Sequence, residues 1–200
     1  MKRVKKKSSF LKSKLACRVF CGLVVFSLLS LTGCGGGNAS MYNSNYHLTN
    51  EIVKSKTSML TVKIPAGWYA ADDNECNCID LWLIKNDYSA TLSFISLNVD
   101  STAVKEESGK SELETVLSIS KTFKRAKYGN SLKAFTNEEY FTNDKNQFAA
   151  YEYIDSQNRA TRVVVLKYNN KFYELTAAPV KDQPAQELYK IQNTVLSSIK

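Results

Sequence analysis

The chain has 200 residues, 44% of them hydrophobic, 11% aromatic and 23% charged; this is the make-up of one globular domain with its own core and excludes a disordered or fibrous chain. The formal charge of +8 is confined to one end, because eight of the 27 basic residues and none of the 19 acidic ones fall in residues 1–33, leaving 19 of each sign in the remainder. A neutral remainder takes away the electrostatic ground for binding nucleic acid, and no nucleic-acid partner is expected.

Residues 1–18 are cationic, with Lys2, Arg3, Lys5, Lys6, Lys7, Lys12, Lys14 and Arg18, and residues 19–31 are an apolar run. This is the layout of a secretory signal peptide. As a helix the run would cover about 20 Å, short of a hydrocarbon core of about 30 Å, so it reads as an export signal and not as a permanent span. It ends in Leu31-Thr32-Gly33-Cys34, which resembles the lipobox of bacterial lipoproteins. The resemblance implies that the Cys34 thiol takes a diacylglycerol, that cleavage falls just before it, and that Cys34 becomes an acylated N-terminus. Several acyl chains hold a protein on a membrane where one does not. No cofactor is expected beyond this covalent lipid. The expected location is extracytoplasmic, anchored to the bacterial membrane.

Gly35, Gly36 and Gly37 lack the Lys-Ser/Thr of a phosphate-binding loop, and the polar residues after them offer little to bury. Residues 35 to about 50 therefore read as a flexible tether. The only histidine, His47, lies in it, where no rigid scaffold could hold it for catalysis. The expected organisation is a signal peptide over 1–33, a lipidated cysteine and tether over 34–50, and one domain over 51–200.

Leu60, Val62 and Ile64 alternate with polar residues and predict a strand over 59–64, turned by Pro65-Ala66-Gly67; Trp68 and Tyr69 are expected to cap the core. Strands are predicted over 79–85 and 91–99, joined across Asn86-Asp87-Tyr88. Apolar residues on both parities of the second, Leu92 and Phe94 against Ile95, Leu97 and Val99, call for burial on both faces or a bulge. Ser111 with Glu114 forms a capping-box pattern, and Leu113, Val116, Leu117, Ser120 and Phe123 fall on one face of the helix that follows, stopped at Tyr128-Gly129-Asn130. A short strand at Tyr140 and Phe141 is followed by strands over 147–154, 161–168 and 171–177. Asn169-Asn170 makes the tight turn between the last two. A closing helix is capped by Asp182, with Pro184 in its first turn and Leu188, Ile191, Val195 and Ile199 on one face. The fold class is α+β: a mainly antiparallel sheet of about six strands packed with two amphipathic helices.

Strand-Pro-x-Gly-Trp at residues 64–68, the helix over 113–123, the meander ending in Asn-Lys-Phe-Tyr-Glu-Leu and the closing helix resemble the PsbP/DcrB-like group. That resemblance, over residues 59–200, implies a non-catalytic adaptor and brings no binding residue with it.

The acidic loop of residues 71–80 is the one place with chemistry to weigh. Asp72, Asp73 and Glu75 flank Cys76 and Cys78, a set that would serve as a small disulfide or as metal ligands, although a second cysteine pair and a nearby histidine are lacking. The sequence has no G-x-S-x-G, H-E-x-x-H or P-loop. Lys121, Lys124, Arg125 and Lys127 form a basic patch on the first helix, suited to its C-terminal dipole or to anionic lipid. Tyr151, Tyr153, Tyr168 and Tyr173 lie on neighbouring strands, as an outward docking face or as core. The sequence thus predicts a non-enzymatic, membrane-anchored binding or accessory module of the cell envelope with an envelope protein as partner. The alternative is a lipid-anchored enzyme or metal/thiol protein built on the Cys76/Cys78 loop.

Overall fold

The computed structural model describes residues 43–57, 60–72, 78–99, 110–143, 146–181 and 184–200. Alternation of apolar and polar residues produces most of its strands, and capping chemistry sets its first helix. In chain order the elements are β1 (Leu48–Lys54), β2 (Thr61–Pro65), β3 (Trp68–Ala70), β4 (Leu81–Lys85), β5 (Ala90–Leu97), α1 (Glu112–Tyr128), a short 3-10 turn (Gly129–Ser131), β6 (Leu132–Thr142), β7 (Gln147–Asp155), β8 (Ala160–Tyr168), β9 (Lys171–Pro179) and α2 (Ala185–Ser197). The fold is α+β. A seven-stranded sheet in the order β3-β4-β5-β9-β8-β7-β6 stands beside a two-stranded ribbon of β1 and β2, and every strand pair is antiparallel.

The two helices cover opposite faces of the sheet. Side chains alternate along a strand, so Phe148, Ala150, Val164, Leu166, Tyr173 and Leu175 share one face and pack with Leu188, Ile191 and Val195 of α2 and Val62 and Ile64 of β2. Their neighbours Ala149, Tyr151, Tyr153 and Val163 meet Leu117 of α1, and Val165 and Phe172 meet Val116. β7, β8 and β9 are therefore buried on both faces, each with six consecutive buried residues.

Local chemistry positions these elements. Ser111 Oγ accepts from Glu114 N (3.3 Å) and the Glu114 carboxylate accepts from Ser111 N (2.5 Å), so the capping box starts α1. Gly129, at φ 50°, ends it by donating its N–H to Arg125 O. Asn169 and Asn170, at φ 48° and 60°, form the two-residue turn from β8 to β9. The end of α2 is pinned to β2: Thr61 N donates to Lys200 O, Lys200 N to Thr61 O, and Lys63 N to Ser198 Oγ.

Several sequence expectations need correction. The expected antiparallel sheet is present, with seven strands, but the ribbon beside it includes a strand, β1, that begins inside the expected tether. The domain holds this segment: Tyr46 Oη donates to Ala66 O (3.1 Å), Tyr46 N to Thr194 Oγ1 (3.1 Å) and Ala66 N to His47 O (2.9 Å). β5 pairs with β9 without interruption, so the bulge is absent. Leu92 and Phe94 enter the main core, and Leu97 packs towards α1. Phe123 is 53% exposed and does not belong to the buried face of α1, which instead continues from Val116 through Ser120 to Lys124. α2 is preceded at its cap position by Pro184, with no side-chain cap; Asp182 lies outside the described residues. No helix among the described residues is long and apolar enough to cross a membrane.

Candidate functional site

Cys34, Asp73, Glu75 and Cys76 lie outside the described residues. Of the loop residues singled out in the sequence, Asp72 contributes its carbonyl, which accepts from Lys56 Nζ at 3.0 Å. Cys78 is disulfide-bonded, and a sulfur in a disulfide is not a thiolate ligand. Asp80, buried at the end of the loop, works as a staple: Thr57 Oγ1 donates to one carboxylate oxygen and Ser96 N to the other (2.6 Å). Among the described residues no three His, Cys, Asp or Glu side chains gather closely enough to hold a metal ion.

The four tyrosines do not share an outward face. Tyr151 and Tyr153 lie under α1 and Tyr173 lies on the α2 side, all buried; Tyr168 packs partly buried against the same α2-side core. The reason is the double burial of β7 to β9, which leaves no open sheet surface at these positions. Tyr151 Oη is 2.7 Å from Ser120 Oγ, Ser120 in turn donates to Glu174, and Lys124 Nζ meets the other Glu174 oxygen at 2.5 Å. Burial, reinforced by the Glu174 charge, pushes the Tyr151 hydroxyl far above its ordinary pKa, so it stays protonated. The basic patch is thereby split. Lys124 is buried in this network, while Lys121 pairs with Glu138 and Arg125 lies 5.1 Å from the Phe135 ring centre.

On the opposite face Arg162 is fully buried, donating to Gln192 Oε1 (2.9 Å) and Asn193 Oδ1 (2.7 Å), with Glu139 at 3.4 Å. It lies 5.4 Å from the ring centres of both Phe141 and Tyr189. Desolvation lowers its pKa, and the Glu139 charge opposes that shift. In both buried networks the charges are answered inside the domain, although Arg162 Nε has no hydrogen-bond partner among the described residues, and this pairing suits them to fixing the helices on the sheet.

Two surface depressions among the described residues bear on function. One, of about 370 Å³, includes Tyr128, Tyr153, Asp155 and Arg159. Its charges are already paired, Arg159 with Asp155 at 2.8 Å. Desolvation is the largest single influence and pushes the Asp155 carboxyl up, but the N–H groups of Arg159 and Gln157 and the Arg159 guanidinium together outweigh it and hold the pKa below the usual range. The other depression, of about 320 Å³, is different in kind: Lys54, Lys56, Lys171, Tyr168, Asn169 and Tyr173 line it together with Thr57. Among the described residues, three cations and no carboxylate line this concavity. Sequence reasoning missed it, because the lysines stand on β1, the turn after it and the start of β9, and no local spacing connects them.

This architecture has a counterpart among solved structures. The chain is similar to the solution structure of cyanobacterial PsbP (CyanoP) from Synechocystis sp. PCC 6803, with a TM-score of 0.53 and 18% identity, over 75% of this chain and 91% of that one. The fold is PsbP-like. At this identity the likeness is one of fold. No protein-family model and no curated protein sequence matches the chain. The lipobox residues lie outside the described part.

Proposed function

We propose that the protein is a lipid-anchored extracytoplasmic lipoprotein whose PsbP-like domain is a non-catalytic binding or accessory module of the cell envelope. The observation that carries the reading is the order of the leader: a cationic segment with no acidic residue, a short apolar run, and Leu31-Thr32-Gly33-Cys34 at its end. The domain supports it in two ways. Its fold is that of a PsbP protein, and the buried ionisable side chains Lys124, Glu174 and Arg162 are spent in internal pairs that hold helices to the sheet. The anchor and accessory roles fit together, since so short a stretch between an attachment at Cys34 and β1, which starts at Leu48, keeps the domain near the lipid head groups.

The test is incorporation of a radioactive fatty acid into the wild type and Cys34→Ala in the producing bacterium. The wild type takes label and sediments with membranes, whereas the variant takes none and leaves the lipid-anchored fraction. Equal label in both proteins overturns the proposal.

A further inference from the structure

We propose that the depression lined by Lys54, Lys56 and Lys171 is a binding site for a phosphate group, free or esterified. Three segments far apart in sequence build the depression: the end of β1, the turn after it and the β8–β9 turn, whose Asn169 and Asn170 at positive φ fix where Lys171 leaves. Gathering three like charges around about 320 Å³ is unfavourable by itself, and an anion reverses the sign of that electrostatic term.

Neither Lys54 nor Lys171 forms an ion pair among the described residues. Lys56 donates one N–H to the Asp72 carbonyl, which orients its ammonium without neutralising it. The carboxylate behind Thr57, Asp80, is buried and has both oxygens occupied, by Thr57 and by Ser96 N.

The side-chain chemistry selects the anion. A planar carboxylate is best read by the fork of an arginine, and none lines this depression; lysines act as point charges that suit the several oxygens of a tetrahedral phosphate. Asn169 and Thr57 supply neutral hydrogen-bonding groups beside the lysines, and the partly buried Tyr168 adds an aromatic side chain to the lining. The volume lies at the small end of ligand pockets, the scale of a phosphate with a small alcohol on it.

The experiment uses the full chain, isotope-labelled for NMR, in zwitterionic micelles at constant ionic strength, titrated with inorganic phosphate in place of chloride. Amide signals of Thr57, Asn169, Asn170 and Lys171 are expected to move and saturate. Lys54→Gln combined with Lys171→Gln weakens the affinity at least tenfold, since each lost charge-assisted hydrogen bond is worth about a factor of ten. Lys190→Gln, on α2 away from the depression, leaves it unchanged. Lys54 and Lys171 are both exposed, so unchanged signals elsewhere verify that the double variant is folded. A second arm adds phosphatidylglycerol to the micelles. If the same signals move and free phosphate competes, the phosphate comes from a lipid head group; if only soluble phosphate moves them, the ligand is a free one. Absence of saturation in both arms, or equal affinity in wild type and double variant, overturns the proposal.

Discussion

Glu174 occupies a position in the middle of β9 where its neighbours on the α1 face are Phe172 and Thr176, and it is almost completely buried. A carboxylate there is tolerable only because Lys124 and Ser120 both reach it. Removing one partner of such a pair costs far more than the pair contributes, because the remaining charge is left without compensation. Lys124→Met should therefore destabilise the domain by about 3–5 kcal/mol, read as a lower denaturation midpoint in urea at neutral pH. Adding Glu174→Leu to Lys124→Met should restore most of the loss, since the charge is then gone. A single variant as stable as wild type would mean that Glu174 is not held by Lys124. The sequence carried a sign of this network: Val116, Ser120 and Lys124 are spaced by four and so lie on one stripe of α1. Lys124 reads as part of a solvated basic patch only if the three neighbouring cations are counted without asking which face each one takes.

At the scale of elements, legibility followed how much of its own stabilisation each one encodes. α1 was readable to the residue at its start because both halves of the capping box are local in sequence. Ser111→Ala removes the acceptor for Glu114 N and should cost about 1 kcal/mol, whereas Ser111→Asp should keep nearly full stability, because Asp caps about as well. Thermal melts of the two variants decide between them, and equal loss in both would show that the cap hydroxyl is not what matters. The two-residue Asn-Asn turn was equally local. β1 was not readable: LTNEIVK has three exposed residues in a row in its middle and becomes a strand only because β2 offers it an edge. β6 was seen only at Tyr140 and Phe141 for a related reason. Its pairing with β7 shifts register between Thr136 and Glu139, around Asn137 at φ 52°, so the period-two pattern changes phase midway. The lysine depression is the extreme case, assembled from three segments that only the topology brings together.

For the whole molecule, the question is where the folded unit starts. Composition placed the boundary near residue 51, because the preceding stretch is polar and has little to bury. The structure ties that stretch to the domain through hydrogen bonds that composition does not reveal: Tyr46 to Thr194 and Ala66, His47 O to Ala66 N, and Thr49 Oγ1 to Ile64 O (3.0 Å). These contacts join the start of the domain to β2 and to α2, the layer that covers one face of the sheet, so losing them loosens that layer. Four hydrogen bonds at a net of about 0.5 kcal/mol each, with the partial burial of Tyr46, give a loss of about 3 kcal/mol. A version beginning at residue 51 should then melt about 6–12 °C below one beginning at residue 43, at 2–4 °C per kcal/mol for a chain of this size. The version beginning at residue 43 should melt with the full-length domain, because every described contact with β2 and α2 is retained in it. Calorimetry on the three lengths makes the comparison: coincident melting of the 43 and 51 versions would return residues 43–50 to the tether, and with them the reach that the tether gives the domain above the membrane.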